Sequence, residues 1–521
     1  MSLRSTAWRW LIVGHRWLGI ATCLLFAMWF ASGLVMMYVG FPDLTRAERL
    51  ALSQRIDWRQ VTLTPERVLH ELQLQEFPRE LRLVMMNGEP VYRIKAAGSP
   101  PRSVSAVDGH VIDHVTPMQA LAIVRAATEP LAAAVAARDD ATRLSFVHAG
   151  APRSIGDEGP AAPVQPHSVA VQTLHNDQWT VAGTFDFDRP LYRIALHDER
   201  GTELYVSSHS GEIMLDTTAR ERTWNWVGAV LHWLYFRDLR AKPAVWSQVV
   251  LWTSGVGIAV ALTGLWLGID RLRIRRRNGN SAMTPYRGWM AWHHLAGIVG
   301  GLFLLTWIFS GWLSMGPPVP WSKKFDAQRM AAGVAAYSGS STVEFGTPLS
   351  VLQQLDDREA REASFMWVLG RPQIVLTDGA QNKTVLDGIT GAERKLAEQD
   401  LIDAAPRLAP DAHLVATQRL DHEDAYWYSR RADRTLPVLR FIFDDADRTW
   451  VHVDPQTGRV ISWMRASDRV HRWLFNAFHS LDFRWLLAHR PAWDLVMWLL
   501  SIAGLAISTS SVVIGWRRLR R

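Results

Sequence analysis

Residues 15–37 read HRWLGIATCLLFAMWFASGLVMM, and residues 293–315 read HHLAGIVGGLFLLTWIFSGWLSM. Both stretches begin with histidine, have glycine four residues later and contain a Ser-Gly pair near the end. One arginine is the only charged residue in either stretch. A helix needs about 20 apolar residues to cross a bilayer core. The two stretches therefore predict two related membrane-spanning helices, and they decide the fold of the chain.

Two further apolar stretches, at about 245–269 and 492–516, match each other in the same way. Identical residue types recur at the same spacing, which indicates an internal duplication with one helix pair in each half. The offset of 278 aligns His15 with His293, Gly19 with Gly297, Trp29 with Trp307, Ser32 with Ser310, Gly33 with Gly311 and Met37 with Met315. The offset of 247 aligns Trp226 with Trp473, His232 with His479, Leu234 with Leu481, Phe236 with Phe483, Arg237 with Arg484, Trp246 with Trp493 and Gly257 with Gly504.

Two other interpretations of the apolar stretches are less consistent with the sequence. The stretches could be buried helices of a large soluble core, but four runs of this length are rare outside membranes. The first stretch could be a cleaved signal peptide, but its apolar run is too long, and the third stretch repeats it.

Arginine predicts the orientation of these helices. Thirteen arginines and one acid lie within residues 4–16, 270–287 and 517–521, which amounts to a charge of +12. The whole chain carries +7, so the remainder carries −5. Positive ends mark the cytoplasmic side of a membrane. We therefore expect a multi-pass protein of the bacterial inner membrane with both termini cytoplasmic, two large periplasmic segments and no nucleic-acid partner.

The composition excludes several classes of protein. The chain has 521 residues, 26 tryptophans and one cysteine, Cys23. A single cysteine excludes a disulfide scaffold and a zinc site built on cysteines. The sequence contains no phosphate-binding glycine loop, dinucleotide fingerprint or nucleophile elbow. The Ala-, Gly- and Pro-rich stretch 149–166 is typical of a flexible insertion.

The two external segments show α+β patterns. Strand patterns such as Val91–Ile94 and Leu191–Ile194 precede turns with glycine at Gly109, Gly211, Gly391 and Gly458. Glycine after Asp, Ser or Thr favours a turn that needs positive φ. Each external segment is predicted to contain two helix–strand–strand units.

The pattern Val451-His452-Val453-Asp454-Pro455-Gln456-Thr457-Gly458-Arg459-Val460 resembles a PepSY domain. The helix openings at His15 and His293 resemble PepSY-associated transmembrane helices, and the resemblance covers nearly the whole chain. Some members of this family are haem-containing inner-membrane reductases of ferric siderophores, and others have no assigned activity. The resemblance implies a haem-dependent ferric reductase.

The predicted fold class is a membrane α-helical bundle of four transmembrane helices, built by duplication, with two periplasmic α+β PepSY-like domains. The predicted order is transmembrane helix 1 (1–40), PepSY-like domain 1 (41–220), an interfacial amphipathic helix (221–244), transmembrane helix 2 (245–270), a cytoplasmic basic loop (271–288), transmembrane helix 3 (289–316), PepSY-like domain 2 (317–466), a second interfacial helix (467–490), and transmembrane helix 4 with a basic C-terminus (491–521).

His15 and His293 are candidate axial ligands of an inner haem b. Ionisable residues inside a membrane are costly and usually functional. Two imidazoles from facing helices match the needs of a six-coordinate haem iron. Gly19 and Gly297 lie one turn further on the same helix face and leave room for the macrocycle. His294 is next to His293 and is the alternative ligand.

His232 and His479 are candidate ligands of an outer haem b. Each lies in a Trp-rich stretch before a membrane helix, which is also typical of an interfacial helix. Arg237 and Arg484 are candidate partners of haem propionates, because arginine binds carboxylates bidentately, with contact to lipid headgroups as the alternative. His471 could be another ligand, a lining residue or a surface residue.

Residues between the two levels are expected to pack the core. Ser32 follows His15 by 17 residues, which is about 25 Å along a helix. Phe26, Trp29, Phe303 and Trp307 lie in this interval. The acidic run Asp421–Asp424 resembles a metal cluster in composition but is interpreted as a solvated turn, because four adjacent residues cannot converge on one strand face.

The leading functional expectation is a di-haem reductase embedded in the lipid bilayer. Its donor would be a quinol or a cytoplasmic reductant, and its acceptor a ferric siderophore or other ferric chelate. The alternatives are a non-enzymatic PepSY protein that binds or regulates a periplasmic peptidase or envelope protein, and a haem-linked redox partner of a quinone or copper protein.

Overall fold

A computed structural model describes residues 3–127, 170–277, 283–317, 326–429 and 434–521. The expected flexible insertion at 149–166 lies outside the described residues.

The first half contains these elements. Its helices are α1 (Leu3–Tyr38), α2 (Arg46–Leu52), α3 (Pro65–Glu71), α4 (Pro117–Ala126), α5 (Ala219–Val227), α6 (Ala229–His232), α7 (Arg237–Arg240) and α8 (Pro243–Arg277). Its strands are β1 (Glu80–Met86), β2 (Glu89–Lys95), β3 (Arg102–Ser105), β4 (Val111–Ile112), β5 (Val171–Leu174), β6 (Leu191–Ala195), β7 (Glu203–Ser207) and β8 (Ile213–Thr217).

The second half follows the same plan. Its helices are α9 (Trp289–Ser314), α10 (Ala327–Ser338), α11 (Leu349–Gln353), α12 (Glu398–Ala404), α13 (Ala466–His471), a π-helical turn (Arg472–Ala477), α14 (Phe478–Ser480), α15 (Arg484–Leu487) and α16 (Arg490–Leu519). Its strands are β9 (Ala360–Val368), β10 (Arg371–Asp378), β11 (Lys383–Asp387), β12 (Leu414–Leu420), β13 (Val438–Phe443), β14 (Trp450–Val453) and β15 (Val460–Met464).

Four helices form the bundle. Within the described residues, α1, α8, α9 and α16 are the four helices long and apolar enough to cross a membrane, so the chain is a membrane protein. Helix α1 packs against α8 and α16, and α9 packs against the same two helices. Helices α1 and α9 therefore face each other across the bundle. Phe26, Phe30, Val260, Leu304 and Ile507 fill its core.

Helix α8 is longer than the sequence predicts. It continues to Arg277, so residues 271–277 of the predicted basic loop are helical. Arginine favours helix, and a helix can continue past the hydrocarbon without losing backbone hydrogen bonds.

The two external segments share one sheet, which the prediction of two separate domains did not include. Seven strands run in the order β11-β10-β9-β1-β2-β3-β4, and β1 pairs antiparallel with β9. In that pair Leu81 lies opposite Phe365, Arg82 opposite Ser364 and Leu83 opposite Ala363. Pairing satisfies backbone groups that each strand would otherwise expose at a sheet edge.

The pairing also reveals a pseudo-two-fold axis. The turn glycines Gly88 and Gly109 have equivalents in the second half, Gly370 and Gly391, and all four have positive φ. In the same alignment of the halves, β1 is the counterpart of β9, and Arg82 is opposite its own counterpart. The second unit of each half forms its own four-stranded sheet, β5-β6-β7-β8 or β12-β13-β14-β15.

The predicted interfacial helices are broken into short pieces. Residues 219–240 form α5, α6 and α7, and residues 466–487 form α13, the π-helical turn, α14 and α15. The chain turns at Leu234 and Leu481, which occupy equivalent positions in the two halves and both have a φ of 51°. A left-handed residue ends a helix, so the candidate histidines His232 and His479 lie at helix ends instead of within long surface helices.

An ionic cluster with little solvent exposure connects the seven-stranded sheet to the β5-β6-β7-β8 sheet. Glu212 lies in the turn before β8. Its carboxylate oxygens are 2.5 Å from a guanidinium nitrogen of Arg49, 3.4 Å from one of Arg82 and 3.2 Å from one of Arg93. Burial alone would raise the pKa of the Glu212 carboxyl, but the three guanidinium groups outweigh burial and hold its pKa well below the usual range. Glu212 therefore stays ionised in the folded protein.

We predict that Glu212→Gln destabilises the folded chain by about 3 kcal/mol, because it removes the counter-charge of Arg49 and Arg93, whereas Arg82 keeps its ion pairs with Glu80 and Glu362. Thermal unfolding of the detergent-solubilised protein measures this loss. Glu359→Gln is the control, since Glu359 is 77% exposed in its pair with Arg55 and should change stability by less than about 0.5 kcal/mol.

The same contribution depends on pH. The folded pKa of Glu212 is depressed, so its stabilisation is present above the unfolded value of about 4.3 and is lost as the pH falls below it. Wild type and Glu212→Gln should converge in stability in acid. Equal stability of the two proteins at pH 7 would contradict this role.

Candidate functional site

His15 and His293 face each other across the bundle. Their ring centroids are 6.4 Å apart, with an angle of 38° between the ring planes. His15 Nδ1 lies 3.2 Å from the Thr263 hydroxyl of α8. His293 Nδ1 lies 3.1 Å from the Ser511 hydroxyl and 3.4 Å from that of Ser510 on α16. Thr263 and Ser510 occupy equivalent positions, so each half holds its own histidine with a hydroxyl from its own second helix. We call His15 and His293 the inner pair.

His232 and His479 form a second facing pair, the outer pair. Their ring centroids are 6.1 Å apart, with an interplanar angle of 72°. Each Nδ1 lies beside a serine hydroxyl and a tryptophan carbonyl of the first helix of its own half. These neighbours are Ser32 at 3.1 Å and Trp29 at 3.2 Å for His232, and Ser310 at 3.1 Å and Trp307 at 3.2 Å for His479.

These contacts orient the rings as metal ligands are oriented. A ligating imidazole usually bonds through one nitrogen and gives its other N–H to a nearby acceptor. The side-chain contacts described above for His15, His232 and His293 all involve Nδ1 and not Nε2. Two imidazoles on opposite sides of one metal ion, with bonds of about 2 Å, have centroids about 6 Å apart. Both pairs have this spacing, so the residues present fit an ion bound between two histidines.

Burial also suits His232 to this role. Burial lowers the pKa of the His232 imidazole to about 4. A hydrogen bond with the Trp29 carbonyl raises this pKa, but by less than burial lowers it. The imidazole is therefore neutral at pH 7. Neutral imidazole is the form that binds metal ions.

Glycines provide space around the four rings. A Cβ on Gly33 would lie 3.4 Å from Cε1 of His232, and a Cβ on Gly264 would lie 2.8 Å from Cε1 of His15. At Gly19 and Gly297, a Cβ would meet no atom within 4 Å. These two glycines thus leave open space one turn from the inner pair, which is the space that a flat macrocycle would need.

The two pairs lie at different depths. Ser32, beside the outer pair, follows His15 by 17 residues of one helix, or about 25 Å. Aromatic rings fill the interval. Phe30 and Trp307 have centroids 5.5 Å apart, and Phe26 stacks on Trp29 at 6.0 Å. Phe303, which we expected in the same core, is 41% exposed and lies at the surface of the bundle.

His294 does not face His15. It is buried, its Nε2 lies 3.1 Å from the Gly268 carbonyl oxygen, and its ring meets Tyr286 edge-on at 5.5 Å. Of the two adjacent histidines, His293 is the one opposite His15.

The other residues predicted for the outer site lie apart from the pair. His471 is exposed, and the ring of Phe475 lies between it and His479. The guanidinium of Arg237 pairs with Asp238 and is 53% exposed. Arg484 is exposed, and its guanidinium makes no hydrogen bond or ion pair with a described residue. No contact among the described residues supports the propionate role expected for the two arginines.

The acidic run at 421–424 is more than a solvated turn. Asp424 accepts two hydrogen bonds from the buried Arg440, at 2.7 and 3.1 Å. Arg440 also donates to Nε2 of the buried His452, at 2.9 Å. This interaction holds the loop against the last sheet, and the sequence pattern alone did not indicate it.

The hydroxyl groups are the part of the site that sequence reasoning missed. Ser32 and Ser310 had a detectable signal, because they recur at the offset of 278. Thr263 and Ser510 recur at the offset of 247, but their residue types differ. Gly264 has no glycine counterpart, because Ser511 occupies its place.

No protein-family model matches this chain, and no curated protein matches it.

We predict that Gly504→Ala destabilises the bundle by about 1–3 kcal/mol, because overpacking a filled core forces side chains to move. A Cβ at this position would overlap the ring of Phe30, between the two histidine pairs. Thermal unfolding in detergent measures the effect. Gly255→Ala in α8 is the control, since a Cβ there meets nothing within 4 Å. Equal stability of the two variants would show that Phe30 does not fill this part of the core.

Proposed function

We propose that the protein is a di-haem b transmembrane oxidoreductase that passes electrons from the cytoplasmic side to a periplasmic ferric chelate. His15 with His293, and His232 with His479, would each hold one haem. The observation that carries the proposal is the ring spacing of 6.4 and 6.1 Å in two histidine pairs at two depths. Haem, when bound, supplies a one-electron iron couple whose potential depends on its axial ligands and surroundings.

The chain's own residues would prepare these sites. The hydroxyls of Thr263, Ser511, Ser32 and Ser310 lie beside Nδ1 of the four rings and favour one orientation for each. A hydrogen-bond acceptor beside the non-ligating nitrogen of an imidazole also raises the basicity of the ligating nitrogen. The apolar core around Phe26 and Phe30 excludes water between the two levels. This combination supports fixed ligands in a dry environment.

The charge distribution supports the orientation of the chain in the membrane. The arginine clusters lie at the N-terminus of α1, the C-terminus of α8 and the C-terminus of α16. These ends are all at the inner-pair end of the bundle. By the positive-inside rule this end is cytoplasmic, so a quinol or soluble reductant would donate there. The outer pair and the sheets would then lie toward the periplasm of a bacterial inner-membrane protein.

A ferric siderophore or other ferric chelate is the proposed acceptor. Its Fe(III) gains one electron and becomes Fe(II). This step requires no proton transfer and no covalent bond between the chelate and the protein. Fe(II) binds hard oxygen ligands less tightly than Fe(III), so reduction releases the iron for uptake. This choice of acceptor rests on the resemblance to PepSY-associated reductases carried by the residues at His15, His293 and 451–460.

We predict that His293→Ala removes one haem and leaves the other, because His293 faces His15 only. His294→Ala is the matched control and should keep both haems, since the His294 ring points toward the Gly268 carbonyl. The pyridine haemochrome assay gives the haem content of each purified variant. Loss of a haem from His294→Ala but not from His293→Ala would reverse the assignment, and loss of both haems from His293→Ala would contradict two separate sites.

Stopped-flow absorbance tests the proposed reaction. Dithionite-reduced protein mixed with ferric chelates of the hydroxamate and catecholate classes should return to the oxidised spectrum, with Fe(II) trapped by ferrozine. His232→Ala should retain the inner-site spectrum and lose most of this reactivity, on the order of a hundredfold. Failure of every ferric chelate to oxidise the wild type would overturn the reductase proposal. A colourless, folded wild-type protein would favour a non-enzymatic PepSY protein.

A further inference from the structure

Three rings form a continuous series from the outer pair to the protein surface. Phe475 stacks on His479 with centroids 5.1 Å apart and an interplanar angle of 24°. On its other side, Phe475 lies 5.4 Å from the ring of His471, at 37°. His471 is exposed, whereas its neighbour Phe475 is partly buried. The outer pair is thus one ring removed from a surface imidazole.

The local helix geometry aligns these rings. His471, Phe475 and His479 are spaced four residues apart, which places them near one helix face. The π-helical turn Arg472–Ala477 spans the interval between the two histidines. Such turns are rare and occur frequently at functional sites.

The turn is held by contacts with the loop at 425–426. Nε of Arg472 donates to the Ala425 carbonyl oxygen at 2.6 Å, and the guanidinium lies 4.3 Å from the Trp473 ring. Trp473 in turn donates from Nε1 to the Tyr426 hydroxyl at 3.0 Å. The loop at 425–426 therefore holds the π-helical turn in place.

The first half lacks this series, although it has the same fold. The equivalent positions there, at the offset of 247, are Trp224, Gly228 and His232. Gly228 has no ring, and a Cβ there would already lie 3.0 Å from Cγ1 of Val35. The duplication therefore retained both outer histidines but gave only one of them an aromatic connection to the surface.

We propose that the ferric chelate is reduced at His471, and that Phe475 is a positioning residue that couples His471 to the outer histidine pair. The proposal rests on the proposed function and specifies where the electron leaves the protein. One electron, supplied by the cytoplasmic reductant, reaches Fe(III) of the docked chelate and produces Fe(II). The electron must cross gaps between rings, and transfer slows steeply as a gap widens, so an aromatic ring at 475 shortens the path.

The surface around His471 fits a small chelate better than a protein. Its exposed apolar neighbours are Val470 and Trp473, which are 42% and 39% exposed. These three side chains come from one helical turn, whereas a protein partner usually covers about 800 Å² of each surface. The hydrocarbon backbone of a chelator can pack on Val470, which is adjacent to His471, while the metal centre approaches the imidazole.

The first test compares variants of the full, haem-loaded chain. Phe475→Leu should slow chelate-dependent oxidation at saturating chelate on the order of tenfold, without a change in KM, haem content or the midpoint potential of either haem. Phe475→Tyr should restore the rate, because it restores the ring. Trp224→Phe, at the position equivalent to His471, is the matched control and should react as wild type does. A wild-type rate in Phe475→Leu, or a slow rate in Phe475→Tyr, would overturn the coupling role.

The second test detects docking without electron transfer. The gallium(III) complex of a trihydroxamate siderophore cannot be reduced in this way, and it should protect His471 of the wild type from diethyl pyrocarbonate. His413, which is 92% exposed on the external region, should be modified equally with and without the complex. Mass spectrometry reports both positions. If His471 is still modified at saturating gallium chelate, the chelate does not dock there. Because this test uses the wild type, its result holds even if Phe475→Leu loses its haem.

The two proposals fail in different ways. If no ferric chelate oxidises the wild type, the proposed function fails. If chelates oxidise wild type, Phe475→Leu and Phe475→Tyr at one rate, only the exit through Phe475 fails.

Discussion

An imidazole ring inside an apolar helix bundle needs a hydrogen-bond partner, and this requirement organises the molecule. Each of the four paired histidines has Nδ1 beside a hydroxyl from another segment of its own half: Thr263, Ser510 with Ser511, Ser32 and Ser310. The hydroxyl fixes how the ring is turned, and the helix that bears it must then pack at a set depth and rotation. Buried polar groups without partners are costly, so other arrangements of these helices are disfavoured.

Each half therefore orients its own two histidines, and the assembly of the halves brings the rings face to face. Two contacts between the halves are prominent. In the membrane, α1 and α9 are held across the bundle by α8 and α16. Outside, β1 pairs with β9 through Arg82 and Ser364, which are counterparts in the repeat. A pseudo-two-fold relation thus extends from the sheet to both histidine pairs. This arrangement is what a fused dimer of two ancestral halves would give.

Much of this architecture is readable from the sequence, because duplication repeats the residues that matter at fixed offsets. The four spans, the pairing of His15 with His293 and the register of His232 with His479 follow from those repeats and from hydropathy. The tight turns at Gly109, Gly211, Gly391 and Gly458 follow from local chemistry, and all four glycines have positive φ.

Other features depend on contacts that no local pattern encodes. The shared seven-stranded sheet requires β1 and β9, which belong to different halves of the chain, to meet at their edges. The choice between His293 and His294 depends on helix rotation, which is set by the packing of α9 on α8. The ring series through Phe475 has no signal in the repeats, because it is confined to one half, whereas the repeats display only what both halves share.

The central claim is that each histidine pair holds one haem, and the most direct measurement is the haem content of the purified wild-type chain. Protein expressed in membranes and solubilised in mild detergent should give two haem b per chain in the pyridine haemochrome assay. Its reduced-minus-oxidised spectrum should have the sharp bands of six-coordinate, bis-histidine haem. A folded chain without haem, or with one haem that survives the loss of either pair, would contradict this claim.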